Sequence, residues 1–174
     1  MSVYQRMKQT DVYINRPMEY NSVMVSANDV AAYILRKKGG PISAMKLQKL
    51  VYYCQAWSLV WDDRPMFSEP IEAWANGPVV PVLYEQHKGR FQIESWPSGD
   101  PSKLDKDARE TADIILETYG RKNAQWLSDL THREKPWMAA REGLSVGERG
   151  SKVISLESMS EYYSSLPPGN EIEG

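Results

Sequence analysis

The sequence predicts a mostly α-helical fold with a minor β component: a single compact helical domain with a central apolar helix and one short strand or hairpin. Three observations carry this. Apolar residues recur at helical spacing in several separate segments. Several of those segments open on Ser or Asn and close on Gly or Pro, residues that start and stop helices. Period-two alternation is weak and confined to Met66 to Ala75, with Phe67, Ile71 and Ala73 on one side and Glu72 and Trp74 on the other.

The elements follow in order. Met1 to Met24 scatters Val3, Tyr4, Val12, Tyr13, Ile14 and Met18 among polar residues without a sustained period. Residues 1–24 are expected to be a flexible or partner-ordered leader. A helix begins at Ser26, with Asp29 in the reciprocal capping position. Val30, Ala31, Ile34 and Leu35 are its stripe, and Arg36, Lys37 and Lys38 suit the negative end of its dipole. Gly39, Gly40 and Pro41 end it. Ser43 caps a second helix that runs to about Trp61. Leu47, Leu50, Val51, Cys54, Trp57 and Trp61 define one face, and Tyr53, Ala56 and Val60 widen it. A helix so broadly apolar is contacted on several sides.

Pro70 restricts the strand near 66–75 to an edge or a bulge. Asn76, Gly77 and Pro78 are expected to form a sharp turn, with Pro78 at the first position of a short helix ending before Gly89. A loop rich in Pro, Gly and Ser covers Trp96 to Ser102. A third long helix from about Lys103 to Tyr119 carries the stripe Ala108, Ala112, Ile115, Leu116 and Tyr119. Asn123 caps a short helix through Trp126, Leu127 and Leu130, a helical turn follows at Pro136 to Met138, and Gly143 to Gly150 is a loop. A last helix spans Ser155 to Ser165, which sets the helical domain at 25–166 and leaves 167–174 as a loose tail.

Composition excludes several classes of function. No stretch approaches the ~20 apolar residues of a membrane span, and no apolar signal-peptide core follows the N-terminus. One cysteine cannot form an internal disulfide, which suits a reducing cytoplasm. With 21 basic and 23 acidic residues the chain lacks the cationic excess of a dedicated nucleic-acid binder. Six Trp and ten Tyr against two Phe is unusual, and those residues combine an apolar body with a polar edge suited to protein interfaces.

The search for chemistry gives little. Two histidines, His87 and His132, and one cysteine make no metal-ligand spacing, so no metal site is expected. Nothing calls for a cofactor: there is no phosphate-binding glycine loop and no G-x-S-x-G. Cys54 sits on the apolar face of its helix, where burial makes a thiol inert, so a hydrolase built on Cys54 and a histidine is a distant third reading. The segment Ala27 to Trp61 has roughly the outline of a helix-turn-helix, with Lys37, Lys38, Lys46 and Lys49 near its turn. The run from Trp74 to Tyr84 is the most particular in the chain: Gly77 and Pro78 make a rigid junction that can present Trp74, Asn76 and Tyr84.

The run from Met45 to Gly89 resembles the core of the Panacea domain family, which includes SocA-type antitoxins and phage-associated GepA proteins. The resemblance rests on K-L-Q-K-L-x-Y-Y-x-Q-[AG] at Lys46 to Ala56 and on G-P-V-x-P-x-[LV]-Y at Gly77 to Tyr84. A third element, S-x-L-T-H-x-x-x-P-W, is similar at Ser128, Leu130, Thr131, His132, Pro136 and Trp137. It covers roughly Ser26 to Tyr163 and makes 25–166 a Panacea-like domain; the leader lies outside it. The resemblance implies an antitoxin of a bacterial or phage toxin–antitoxin pair that neutralises its toxin by direct protein contact, and not an enzyme. The expected partner is a cognate toxin, encoded by the adjacent gene. Trp61, Trp74, Tyr84 and Trp137 are the expected aromatic anchors, with Asn76 and His132 as polar contacts and Tyr13 as an extra contact from the leader. For Trp137 and His132 a structural role is favoured. The alternative is a DNA-binding autorepressor working through Lys46, Lys49, Lys37 and Lys38. A homo-oligomer stays open.

Overall fold

The computed structural model describes residues 25–167; the leader with Tyr13, and 168–174, lie outside the described residues. Within them, α1 (Ala27–Lys38), β1 (Ile42–Ser43), α2 (Ala44–Trp61), β2 (Glu72–Trp74), β3 (Gly77–Val79) and α3 (Pro81–His87) form the first half. β4 (Gln92–Ile93), a 3₁₀ turn (Pro101–Lys103), α4 (Lys106–Tyr119), α5 (Ala124–His132), α6 (Lys135–Ala140) and α7 (Leu156–Ser165) complete it. The fold is mostly α, as the periodicity predicts.

Local signals place most helix ends. Ser26 Oγ accepts from Asp29 N at 3.2 Å, and Ser26 N donates to the Asp29 carboxylate at 2.9 Å, so Asp serves in the capping box where Glu is usual. Gly39 at φ 67° takes the left-handed conformation that closes α1. Ser43, Asp105, Asn123 and Ser155 cap α2, α4, α5 and α7. α2 is buried continuously from Leu47 to Ser58 and packs against α1, α4, α5, α7 and β3. It is the axis around which the other elements bury their apolar faces.

The polar groups of α2 are satisfied inside this core. Tyr53 donates to the buried Glu134 carboxylate, Tyr52 and Tyr163 hydroxyls meet at 3.0 Å, and Tyr119 stacks on Tyr53 at 4.5 Å. Burial pushes the Glu134 carboxyl up to about 7. Gln55 holds the irregular chain beyond α2: its Oε1 accepts from Met66 N at 2.7 Å and its Nε2 donates to Phe67 O at 2.8 Å. Those backbone groups are therefore unavailable to a ladder, and the strand expected over 66–75 shrinks to Glu72–Trp74.

Two further expectations are corrected. The turn falls at Ala75 and Asn76, and Gly77–Val79 is a strand, β3, pairing Trp74 with Gly77, Ala73 with Pro78 and Glu72 with Val79. Pro81, not Pro78, starts α3. Both prolines satisfy the local rule; the choice is made by Gln48, whose Oε1 accepts from Val80 N at 2.8 Å and keeps the chain extended up to Pro81. A second ribbon pairs β1 with β4 through Ile42 and Ile93. Two residues per strand are too few to show alternation. Residues 152–154 run along the other edge of β2, through Ala73 N to Lys152 O and Ile154 N to Ile71 O, both 2.8 Å.

Gly99 seats the loop before α4 against α1. A Cβ there would lie 2.0 Å from the Asn28 backbone oxygen, and the neighbouring Asp100 N donates to Asp29 at 2.8 Å. Gly99→Ala is expected to cost about 2 kcal/mol, the scale of overpacking against rigid backbone. Thermal melting should show a drop of roughly 4–8 °C; an unchanged melting temperature would mean the loop shifts freely.

Candidate functional site

The Lys46–Ala56 segment lies within α2, and the Gly77–Tyr84 segment crosses it as β3 and the start of α3. Between them lies a cavity of about 450 Å³. Met45, Gln48 and Lys49 of α2 form its floor. Glu72, Trp74, Ala75, Asn76 and Val79 of the β2–β3 hairpin form one wall, Tyr84 and His87 of α3 another, and Gly147, Arg149, Gly150 and Ser151 the rim.

Lys49 is the unusual member. It is 1% exposed. Its Nζ donates to Pro78 O at 3.1 Å, and among the described residues no carboxylate forms an ion pair with it. Burial pushes its ammonium down to about 7. The hairpin closes over this side chain at Gly77, which sits at φ 112°. A Cβ at Gly77 would meet Lys49 Cε at 2.5 Å and Thr131 Oγ1 at 2.9 Å. Gly77 is thus required twice, for its backbone angle and for the space.

Gln48 organises the adjacent side. Val80 N fixes which end of its amide is the oxygen, so Nε2 donates to Val80 O at 3.2 Å and lies 2.9 Å from His87 Nε2. An amide nitrogen only donates, so His87 Nε2 is an unprotonated acceptor; burial pushes the His87 pKa below its ordinary value, consistent with a neutral ring. Trp74 and Tyr84 meet edge to face at 4.7 Å above the cavity, and Trp74 Nε1 donates to Glu72 Oε2 at 2.7 Å.

The Ser128–Trp137 segment supports the hairpin from behind. Ser128 Oγ donates to Asn76 O at 2.7 Å, Trp137 Nε1 donates to Trp74 O at 2.8 Å, and Arg141 Nη1 donates to Ala73 O at 3.0 Å. His132 stacks on Trp137 at 4.1 Å, and the Arg141 guanidinium lies 5.1 Å from the same indole, so two side chains pack on Trp137. All three motif segments therefore converge on one hairpin, although they are far apart in the chain.

Of the aromatic and polar residues singled out from the sequence, Trp74, Asn76 and Tyr84 line the cavity together. Trp137 and His132 lie behind them as buttresses. Trp61 does not join them: it stacks on Trp57 at 4.8 Å, twelve residues beyond Lys49 and so ~18 Å along α2. The basic corner also differs from its expectation. Lys49 is buried, Lys38 and Lys46 both donate to Gly120 O at 2.8 and 2.7 Å, and Lys37 pairs with Asp113 at 3.7 Å. α2, enclosed from Leu47 to Ser58, cannot enter a DNA groove as a recognition helix. Cys54 is fully buried and its thiol is pushed up by burial, away from the thiolate a nucleophile needs.

Sequence reasoning missed Gln48, His87 and Arg149 as cavity residues and placed Lys49 on the surface. The position of Lys49 between Leu47 and Leu50 on an all-round apolar helix was the available signal. Arg149 lies in a loop, where no periodicity announces a direction. Among the described residues no helix is long and apolar enough to cross a membrane, and no group of three or more His, Cys, Asp or Glu could hold a metal.

The family model described as "Antitoxin SocA-like, Panacea domain" matches residues 47–138. Antitoxin SocA of Caulobacter vibrioides (strain NA1000 / CB15N) is 31% identical over 175 residues, covering 88% of this chain and 93% of the relative. No solved structure matches.

Proposed function

Since the chain belongs to the SocA-like antitoxin family with the Panacea domain, we propose that it neutralises a cognate protein toxin by direct binding, the toxin being the product of the adjacent gene. The β2–β3 hairpin and α3 form the contact surface. The observation that carries this reading is the half-buried pair Trp74 and Tyr84 at the mouth of a cavity, on a hairpin braced by hydrogen bonds from Trp137, Ser128 and Arg141. A rigid aromatic anchor beside a pocket loses little conformational entropy on binding, and such residues dominate interface energies. Asn76, exposed at the hairpin tip with only its carbonyl engaged by Ser128, offers its side-chain amide to a partner. Trp137 and His132 act through the hairpin. A specific interface of ~1,600 Å² would extend well beyond the cavity.

The test is growth of a bacterial host expressing the adjacent gene's product, with and without this chain. Toxicity alone and growth with both is the expected result. Trp74→Ala should abolish rescue and weaken toxin binding by roughly 30-fold or more, the scale of a hot-spot truncation, while melting stays cooperative. Full rescue by Trp74→Ala would remove this residue from the interface, and persistent toxicity with the unaltered chain would overturn the pairing itself.

A further inference from the structure

We propose that the cavity beneath the hairpin is a binding site for a carboxylate carried on an apolar stem, with Lys49 as its cation.

The ammonium of Lys49 has three hydrogens to donate, and one is engaged, by Pro78 O. A buried cation ordinarily has an anionic partner; among the described residues this one has none, and it faces a cavity instead of packed core. The cavity is within the size range of small-ligand sites. Its walls suit an apolar stem: Met45, Val79 and the rings of Trp74 and Tyr84. Arg149 at the rim adds a second positive charge. Glu72 also lines the cavity, but its Oε2 accepts from Trp74 Nε1. One carboxylate inside the site disfavours a dianion such as a phosphate monoester and favours a monoanion.

The arrangement also makes no sense as stabilisation. A methionine would fill the same track under Gly77 without the desolvation penalty of an ammonium. A residue that weakens the fold at a cavity is better accounted for by binding.

Lys49 must be charged to hold the carboxylate. The groups that face it are Glu72 on β2, His87 on α3, His132 on α5 and Arg149 on the rim loop. Burial pushes both histidines below their ordinary value, so neither changes charge above pH 7. A decline in affinity above that pH therefore reports Lys49.

The experiment is a titration of the full chain with phenylacetate and, separately, with phenylacetamide, which has the same shape and no charge. The readout is the indole N–H resonance of Trp74, assigned with Trp74→Phe. Phenylacetate is expected to bind saturably with a dissociation constant on the order of millimolar, the ceiling for so small a ligand, and phenylacetamide at least tenfold more weakly. Affinity for the acid should fall about tenfold between pH 7 and 8.5 as Lys49 deprotonates. Lys49→Met should remove the preference for the acid. Equal binding of acid and amide, binding of neither, a pH-independent affinity, or a preference that survives in Lys49→Met would each overturn the proposal. The wild-type titration, acid against amide and across pH, tests the proposal without the variant.

The carboxylate can come from an acidic side chain of the toxin or from a free small acid, and this part alone rests on the antitoxin reading. Lys49→Met in the growth assay separates the sources. Lost rescue assigns the carboxylate to the toxin; intact rescue, with acid binding to the wild type, assigns it to a free acid. Failure of the titration and failure of rescue by the unaltered chain are independent results, so each idea fails separately.

Discussion

Gly77→Ala is expected to remove about 3–5 kcal/mol of stability, a large share of what holds a domain of this size together. Two costs add. At φ 112° a residue with a Cβ is strained by about 1–3 kcal/mol. The new methyl group would also collide with Lys49 Cε at 2.5 Å and Thr131 Oγ1 at 2.9 Å, and overpacking of a filled site costs a similar amount. Lys49 can give way only toward the cavity, at the cost of its hydrogen bond to Pro78 O. Gly89→Ala is the control: φ is 81°, nothing lies within 4 Å, and only the backbone cost of about 1 kcal/mol is expected. Denaturant unfolding of both variants measures the difference. Adding Lys49→Ala to Gly77→Ala should recover part of the loss, because it removes the atom struck first; a purely additive double variant would show that the Lys49 contact is not the cause.

Lys49→Met is expected to act in the opposite direction and stabilise the protein by about 2–4 kcal/mol at pH 7. The folded-state ammonium titrates at about 7 against an ordinary value of 10.5. Between those values the unfolded chain binds more protons, so stability rises with pH across that window. At and below pH 7 the penalty for burying the charge is close to full, about 4 kcal/mol by linkage. Methionine removes it, and the Pro78 carbonyl losing its donor returns part of the gain. The difference in melting temperature between variant and wild type should therefore be close to its full size at pH 7 and shrink toward pH 10.5. A difference that stays constant with pH would show that the ammonium is not the source.

Glu134 provides an internal contrast. Its carboxyl is raised to about 7 from an ordinary 4.5, so its contribution is full below 4.5 and lost as pH rises through about 7. Asp62, raised by burial to about 6, acts in the same sense, while His87 and His132, both lowered, oppose it below 6.5. Comparing Lys49→Met with wild type cancels the two carboxyl contributions; the histidines, which Lys49 also lowers, alter the difference only below pH 6.5, outside the window tested.

Much of the helical framework is legible locally. The Ser26–Asp29 box, the caps at Ser43, Asn123 and Ser155, and the stripe from Ala108 to Tyr119 are short-range patterns whose energies depend on neighbours three or four residues away. The breadth of apolar residues on α2 also forecast its central place. The candidate site was legible only in part. Trp74, Asn76 and Tyr84 belong to one short run with a distinctive turn, and they do meet at one cavity. Trp61 looked equivalent by residue type, yet lies toward the far end of the same helix.

By itself the sequence determined where most of the helices start and stop, which helix is innermost, and which family's motifs the chain carries, because each depends on residue type and near-neighbour spacing. Tertiary structure alone decided that Pro81 and not Pro78 opens α3, that Lys49 faces inward beneath Gly77, and that Arg149 joins the cavity. In each case the deciding contact spans tens of residues: Gln48 to Val80, Lys49 to Pro78, and α2 to the 147–151 loop. Such contacts are selected by the packing of the whole core, and a local pattern carries no term for them.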